Sequence, residues 1–220
     1  MIGKIDPNPR TIDYWARILS DPTPAFRLLF EEERDYIQKN VDHDDRVLDM
    51  CCGDGRNMES LRTITENIYG LDNDTRALKS AMKKGLGDKL FQRDALHTQF
   101  TDNSFDYVIM LDSLINFKDK KVDALKEMAR IAKETGKIII SVYSEDAFEN
   151  RKEMYEKIGA QVSTRGTTFI FDGKIESEQF TQEEISEMAE SAGLELLECK
   201  KIGNLAYLVK LAKKKLVIEH

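Results

Sequence analysis

A carboxylate, a thiol and two glycines occupy alternate positions in Asp49-x-Cys51-x-Gly53-x-Gly55. Residues 47–50 are mostly apolar and predict a buried strand, and a helix can begin directly after the turn that follows. At such a junction the backbone N–H groups point outward, and small residues let a ligand approach the main chain closely. The chemistry predicted for these residues is therefore the binding of a small ligand at the carboxyl edge of a strand.

The spacing of the turn excludes two common phosphate-binding loops. A dinucleotide loop requires G-x-G-x-x-G, and counting from Gly53 the third glycine is replaced by Met58. No Lys-Ser or Lys-Thr pair follows the turn directly, so it is not a P-loop either. The missing third glycine also argues against an NAD-linked oxidoreductase.

The arrangement instead resembles the first motif of the class I S-adenosylmethionine-dependent methyltransferases. In that family the acidic residue faces the ammonium of the methionine part, and the glycine turn lets the sulfonium and ribose lie against the backbone. The resemblance therefore implies that Asp49, Cys51, Gly53 and Gly55 bind the cofactor. Cys51 stands where the family pattern has its first glycine.

A second predicted strand, residues 67–72, also ends in an acid, Asp72. A carboxylate at the tip of the second strand can hold both hydroxyls of a ribose, and the resembling family carries its ribose-binding acid here. Asn73 is assigned to the same cofactor site, although it and Asp74 are also residues that cap helices. For Asp74 we expect the cap of the next helix, residues 75–84.

Two further strand ends complete the cofactor site that the resemblance implies. A third strand, residues 90–95, ends at Asp94 and Ala95, and the family places a carboxylate and a backbone N–H there against adenine. A fourth strand, residues 105–111, ends at Leu111, next to the transferable methyl in the family's geometry. Leu111 is therefore included among the cofactor contacts.

The residues after the fourth and fifth strands are candidates for the methyl acceptor. Asp112 and Asn116 follow the fourth strand, and Tyr143 ends the fifth, residues 137–143. Asp112 and Tyr143 are the candidate catalytic bases for an acceptor that carries a proton. The alternatives are that Asp112 or Ser113 caps the next turn and that Tyr143 only packs. The Asn-Pro-Pro-Tyr signature of base and glutamine-amide methyltransferases is absent.

The resemblance implies that the N-terminal residues 1–40 form a helical lid over the cofactor. Thr23-Pro24 predicts a helix start, with Thr23 as cap, and apolar residues over 25–40 recur on one face. Tyr14 and Trp15 are predicted to line the acceptor pocket, or to pack between helices.

An insertion at residues 145–180 is expected to cover the acceptor site. Its pattern predicts a helix to about residue 158 and two strands, 161–171 and 174–180, joined by Asp172-Gly173. Arg165 and Arg151 are candidate contacts for an anionic group, with a solvated surface charge as the alternative for each. Arg165 is assigned to the acceptor pocket.

The remaining pattern completes the fold class. Residues 122–135 predict a helix capped by Gly136, and Thr181 to Glu184 form a capping box before another helix. Two final strands, 194–202 and 205–211, predict the antiparallel pair typical of the resembling family. We therefore expect one α/β domain over residues 1–220: a Rossmann-like, seven-stranded, mostly parallel sheet with an antiparallel last strand, helices on both faces, and a small inserted cap of a helix and a β-hairpin.

Composition limits the cellular context and the partners. The net charge of −7 argues against nucleic acid as a partner, and no membrane-spanning run or signal peptide is recognisable. Three cysteines without a C-x-x-C pattern predict a reducing cytoplasm, and no metal site is expected. The oligomeric state is left open.

The resemblance implies methyl transfer from S-adenosylmethionine, with S-adenosylhomocysteine as product, to a small-molecule acceptor. A protein side chain remains an alternative acceptor. Two other functions also remain open: a non-catalytic protein that binds S-adenosylmethionine, and an aminopropyltransferase, which needs several acids to hold a polyamine. The sequence does not identify the acceptor.

Overall fold

The computed structural model describes residues 9–171, 173 and 175–214. The helices, in chain order, are α1 Pro9–Ser20, α2 Pro24–Asn40, α3 Arg56–Leu61, α4 Thr75–Lys83, α5 Lys121–Ile131, α6 Phe148–Lys157 and α7 Gln182–Ser191. The strands are β1 Val47–Met50, β2 Ile68–Asp72, β3 Leu90–Gln92, β4 Phe105–Met110, β5 Ala132–Tyr143, β6 Val162–Arg165, β7 Thr168–Phe171, β8 Ile175–Ser177, β9 Leu194–Ile202 and β10 Ala206–Lys213. Short 3-10 segments occur at Gly87–Lys89 and Leu114–Lys120.

The larger sheet has seven strands in the order β3-β2-β1-β4-β5-β10-β9. The first five strands are parallel to their neighbours, and β10 is antiparallel to both β5 and β9. Every residue of β1 is buried, as expected for a central parallel strand covered on both faces. The predicted sheet with its antiparallel last strand is confirmed.

The register brings the carboxyl ends of the central strands to one edge of the sheet. Asp49 of β1 is level with Gly70 of β2 and with Ile109 of β4. Because parallel crossovers are right-handed, the helices that connect β1, β2 and β3 lie on one face. The helix between β4 and β5 lies on the other. Consistent with this, α2 contacts α3 and α5 contacts α7.

Two predictions for the fifth strand are wrong. The helix before it ends at Ile131 rather than at residue 135, and β5 begins directly at Ala132. Gly136 therefore lies within the strand segment and is not a helix cap. A side chain does not fit at Gly136, because a Cβ would lie 2.9 Å from the backbone nitrogen of Lys133 and 3.0 Å from the carbonyl oxygen of Phe105.

The insertion has three strands rather than two. Its helix is α6, and β6, β7 and β8 form a separate antiparallel sheet. The predicted first strand, 161–171, is itself a hairpin that turns at Gly166, where φ is +60°. Gly173, with φ +67°, lies between β7 and β8 as expected, whereas Asp172 and Lys174 lie outside the described residues.

Helix α1 contains the aromatic pair Tyr14 and Trp15, and Pro24 is the first residue of α2 as predicted. Thr23 occupies the cap position, but its hydroxyl makes no cap hydrogen bond and is buried without a partner among the described residues. The capping box from Thr181 to Glu184 is present. Across the described part of the chain, none of the helices is long and apolar enough to cross a membrane.

Candidate active site

Three residues of the turn after β1 have a left-handed backbone conformation. Cys51, Gly53 and Gly55 have φ values of +64°, +54° and +81°. Glycine adopts this region without strain, whereas an L side chain such as that of Cys51 does so at a cost. The left-handed backbone at Cys51 thus explains why the resembling family has a glycine at this position.

The two glycines of the turn have different reasons for being glycine. A Cβ on Gly53 would meet nothing within 4 Å, so the space beside its backbone is open. A Cβ on Gly55 would lie 2.5 Å from Leu86 Cδ1 and 3.3 Å from Ala81 Cβ. Gly55 therefore lets the turn pack against α4, and Gly53 leaves room for a ligand.

Asp49 is a buried acid with an unused oxygen. Its side chain accepts a weak contact from Asn57 Nδ2 at 3.5 Å through Oδ1, while Oδ2 is buried without a partner among the described residues. Burial raises the pKa of Asp49 to about 7. A cationic group bound next to Asp49 would supply the missing partner and favour the ionised carboxylate.

Asp72 connects the tip of β2 to the turn. Its Oδ2 accepts from the backbone N–H of Gly53 at 2.9 Å, and its Oδ1 accepts from that of Asp74 at 2.8 Å. Burial raises the pKa of Asp72, and these backbone donors oppose the shift. Asp74 caps α4 by accepting from the N–H of Arg76, as predicted, and Asn73 is exposed.

The third acid lies at the same edge of the sheet. Asp94 is half-buried and accepts from the backbone N–H of Leu96 at 2.9 Å. Burial and, after it, the charges of Asp72, Asp49 and Asp94 raise the pKa of the Cys51 thiol well above its ordinary value. The charges of all three acids predicted to bind the cofactor thus act on the thiol of Cys51.

The two apolar residues assigned to the cofactor site are buried near the ends of their strands. Leu111, directly after β4, is 5% exposed. Ala95 is 6% exposed, and its strand stops earlier than predicted, because β3 ends at Gln92. An isolated bridge between Asp94 and His97 closes the loop instead.

A buried polar cluster that the sequence analysis did not anticipate lies beside the turn. Nη2 of Arg56 contacts Glu33 Oε2 at 3.1 Å and Asp112 Oδ2 at 3.5 Å. The hydroxyl of Ser141 donates to Glu33 Oε1 at 2.6 Å. The guanidinium also lies 4.6 Å from the centre of the Phe30 ring, so α2, α3, β4 and β5 all meet at this cluster.

Asp112 has an unusual backbone and an unusual side chain. Its φ is +55°, and its backbone N–H donates to Ser141 Oγ at 2.8 Å. Burial and the neighbouring Glu33 raise the pKa of Asp112 well above its ordinary value, although Arg56 opposes the shift. A carboxylate of this kind is a stronger base than a solvated one.

Tyr143 and Arg151 form a buried pair. The Arg151 guanidinium lies 4.0 Å from the centre of the Tyr143 ring, and Tyr143 is 3% exposed. Burial raises the pKa of the Tyr143 phenol well above its ordinary value. Arg151 is fully buried and donates to Tyr155 and to the Ser177 hydroxyl, so its interpretation as a solvated surface charge is wrong.

The four residues assigned to the acceptor pocket lie in different surroundings. Tyr14 is buried, and its hydroxyl accepts from the backbone N–H of Gln161 at 3.3 Å. Trp15 is half-buried, with its ring 5.9 Å from that of Phe30. Asn116 is exposed in the 3-10 segment, and Arg165 is exposed on the inserted sheet, paired with Glu176 at 2.7 Å.

Glu33, Arg56 and Ser141 were missed, and the sequence contains a signal for the first two. Glu33 falls on the buried stripe of α2 that contains Phe26 and Leu29, where a charged residue needs a partner. Arg56 directly follows Gly55 and begins α3. A serine within a buried strand, such as Ser141, gives no comparable signal.

Part of the chain is similar to a known protein family. Residues 48–140 match a family model described as a methyltransferase domain. The match contains the turn and the strands that contribute all three acids. Together with the seven-stranded sheet, the match makes this part of the chain similar to the family of methyltransferase domains.

Curated proteins similar to this chain are named demethylmenaquinone methyltransferases. A demethylmenaquinone methyltransferase from Geobacillus kaustophilus is 32% identical over 140 residues, and the match covers 60% of this chain and 59% of that protein. The chain thus spans about three fifths of the length of that curated relative.

Solved structures are similar in fold. A possible histamine N-methyltransferase from Thermotoga maritima has a TM-score of 0.67 at 21% identity and covers 93% of this chain and 97% of its own. Another similar structure is that of a 1,6-didemethyltoxoflavin-N1-methyltransferase from Burkholderia thailandensis, with bound 1,6-didemethyltoxoflavin and S-adenosylhomocysteine. It has a TM-score of 0.69 at 11% identity, and the match covers 94% of this chain and 85% of that chain.

Proposed function

We propose that this protein transfers a methyl group from S-adenosylmethionine to a small-molecule acceptor. The observation that supports this proposal best is Asp49 Oδ2, a buried carboxylate oxygen without a partner among the described residues, beside a turn with open space at Gly53. The amino-acid part of the cofactor carries an ammonium group, which matches that oxygen. The acids Asp72 and Asp94 next to the same turn suit the ribose and the adenine.

The sulfonium of the bound cofactor supplies a reactive methyl group, so the task of the protein is alignment. Asp49 holds the ammonium, and Asp72, fixed by its bond to the Gly53 N–H, accepts from the ribose hydroxyls. Asp94 accepts from the adenine amino group, and Leu111 packs beside the ligand at the end of β4. Methyl transfer is an in-line displacement that requires the acceptor atom about 3 Å from the methyl carbon.

We propose Asp112, rather than Tyr143, as the base for an acceptor that must lose a proton. Asp112 lies directly after β4, and burial raises its pKa, so its carboxylate is a stronger base than a solvated one. Tyr143 is buried beneath Arg151, and its raised pKa keeps the phenol protonated. Tyr143 then serves as a wall of the acceptor pocket.

The N-terminal residues 9–40 and the insertion together form the roof of the proposed acceptor site. Arg17 Nη1 of α1 donates to the carbonyl of Ile158 at 3.1 Å, and Lys157 pairs with Asp21 at 2.7 Å. Because these contacts join the two segments, they would close over the acceptor as one unit and exclude water. This geometry suits a small acceptor better than a protein side chain.

Calorimetry with S-adenosylhomocysteine tests the cofactor part of the proposal. We expect binding in the micromolar range, and Asp72→Ala should weaken it by about 1–3 kcal/mol because the ribose loses its acceptor. Asp106→Ala is the matched control, since Asp106 lies at the opposite end of the sheet and pairs with Lys133. An absence of binding at millimolar ligand would overturn the proposal.

Product analysis separates the proposal from its two alternatives. With radiolabelled S-adenosylmethionine and a small-molecule extract, we expect the labelled methyl to appear on an acceptor. Cofactor binding without transfer favours a non-catalytic protein. Aminopropyl transfer from decarboxylated cofactor would favour the third function, but the acids Glu33 and Asp112 are already bound to Arg56 and are poor polyamine contacts.

A further inference from the structure

Gln179 has a buried side-chain amide that nothing in the described fold uses. Both Oε1 and Nε2 are buried without a hydrogen-bond partner among the described residues. A buried polar group without partners costs free energy. The insertion therefore carries a donor and an acceptor, side by side on one amide, that the described residues leave unsatisfied.

The segment that contains Gln179 runs along the carboxyl end of β5. Phe180 donates its backbone N–H to the Tyr143 carbonyl at 2.9 Å, and Glu145 donates to the Phe180 carbonyl at 3.0 Å. Strand β8, just before Gln179, contacts the 3-10 segment Leu114–Lys120 that follows β4. Gln179 thus lies near the ends of β4 and β5, at the sheet edge proposed to receive the acceptor.

Alternation along the segment determines the side on which Gln179 lies. Glu178 pairs with Lys121 of α5, and the same ammonium lies 5.7 Å from the centre of the Phe180 ring. Successive side chains of an extended segment point to opposite faces. Because Glu178 and Phe180 both face Lys121, we infer that the side chain of Gln179, between them, lies on the side away from α5.

The opposite side is the one that Ser177 shares with Arg151. The Ser177 hydroxyl accepts from Arg151, whose guanidinium lies over the Tyr143 ring. Gln179, two residues after Ser177, lies on this same side by alternation. Its amide consequently faces the same side of the sheet as the Tyr143 ring.

An aromatic wall extends from this point to the N-terminal helix. The rings of Trp15 and Phe30 are 5.9 Å apart, those of Phe30 and Phe26 6.1 Å, and those of Phe26 and Tyr143 6.2 Å. Phe26 and Tyr143 are buried, so the ring surface that this wall offers to a ligand is that of Trp15 and Phe30, which are only partly buried. Such a wall favours a planar acceptor.

We propose that Gln179 recognises the methyl acceptor and that the acceptor is a planar molecule with an N–H next to a carbonyl, as in a lactam or cyclic imide. Nε2 donates to the carbonyl and Oε1 accepts from the N–H, so one ligand edge satisfies both atoms. A carboxylate would satisfy only Nε2, and an amine only Oε1. This assignment rests on the proposed methyl transfer.

Thermal unfolding tests whether the amide lacks internal partners. Gln179→Leu and Gln179→Met, which remove the polar atoms at similar volume, should raise Tm by about 4 °C because the cost of the buried amide is relieved. Gln182→Leu, at an exposed position of α7, is the matched control and should leave Tm nearly unchanged. A lower Tm for both Gln179 variants would show that the amide has a structural role and overturn the proposal.

Binding to the protein saturated with S-adenosylhomocysteine tests the ligand class. We expect phthalimide and 2-quinolone to bind at least ten-fold more tightly than their N-methyl forms, and Gln179→Leu to abolish that preference without changing the Kd for S-adenosylhomocysteine. Failure of both N–H probes to bind preferentially would overturn the acceptor class and leave methyl transfer intact. Failure of S-adenosylhomocysteine to bind would instead overturn the proposed function.

Discussion

The backbone N–H of Asp112 donates to the hydroxyl of Ser141 at 2.8 Å, across the boundary between β4 and β5. The bond holds Asp112 at a φ of +55°, where an L residue is strained. Strained residues persist where the surrounding structure fixes them, and they occur often at functional sites. Ser141 is therefore the residue that positions the proposed base.

Replacing Ser141 should destabilise the protein far more than replacing a neighbouring serine. Ser141→Ala removes the acceptor of the Asp112 N–H and the donor to Glu33, at a cost of about 2 kcal/mol. Ser144 is equally buried, but its hydroxyl has no partner among the described residues, so Ser144→Ala should be neutral or slightly stabilising. Urea unfolding measures both, and equal losses would contradict the role given to Ser141.

Removing Arg56 should produce a pH-dependent loss of stability. Arg56→Met leaves the acids Glu33 and Asp112 facing each other without their cation, at a cost of about 3–5 kcal/mol. The folded pKa of Asp112, already raised by burial and by Glu33, then rises further above that of the unfolded chain, so stability is lost as pH increases. We expect a smaller loss at pH 5 than at pH 8, measured by denaturant unfolding.

The control for this variant is Arg62→Met. The side chain of Arg62 is exposed and, among the described residues, donates only to the carbonyl of Lys84 at 3.1 Å. Its replacement should change stability by less than about 0.5 kcal/mol at either pH. A pH-independent loss for Arg56→Met would show that packing on the Phe30 ring, rather than charge, is the main contribution of Arg56.

The two glycines of the turn should separate binding from folding. Gly53→Ala places a methyl group where no protein atom lies within 4 Å, so it should cost only about 1 kcal/mol of strain while weakening S-adenosylhomocysteine binding at least ten-fold. Gly55→Ala would place its Cβ 2.5 Å from Leu86 Cδ1 and should lower the free energy of unfolding by about 2 kcal/mol or more. Calorimetry and thermal unfolding of both variants test this, and unchanged binding by Gly53→Ala would remove it from the cofactor site.

The parts of the fold that sequence predicts well are those set by local patterns. Strong local signals, such as the Thr181 capping box and the turn at Gly53, predict the elements and the sheet edge that we propose as the cofactor site. The order of the acids at the strand ends followed from the parallel topology. By contrast, the local pattern predicts Gly136 as a helix cap, because a glycine after an amphipathic run commonly ends a helix. Its actual role, close approach to Phe105, depends on a distant strand.

The missing part of the candidate site depends on contacts between remote segments. Glu33 and Ser141 are joined by a hydrogen bond although α2 and β5 are far apart in the chain. Arg151 looked like a surface charge in a polar helix, and only the folding of the insertion over Tyr143 buries it. The local periodicity of apolar residues predicts neither arrangement.

Asp49 should make stability fall as pH rises from about 4 to 7. Below pH 4 its carboxyl is protonated in both the folded and the unfolded chain. Between the unfolded value of 3.8 and the folded value of about 7, only the unfolded chain releases the proton, so stability is lost across this interval and the loss is constant above it. Asp49→Asn should therefore stabilise by up to about 4 kcal/mol at pH 8 and hardly at all at pH 4.

The same titration should appear in ligand binding. An ammonium beside Asp49 requires the ionised carboxylate, so the affinity for S-adenosylhomocysteine should rise with pH up to about 7 and then level off. Binding at pH 6 should release a proton, which calorimetry in buffers of different ionisation enthalpy detects. Asp49→Asn should lose this proton release together with at least ten-fold in affinity. Because the variant is expected to be more stable at pH 8, weaker binding there cannot result from unfolding, and unchanged binding would mean that the ammonium lies elsewhere.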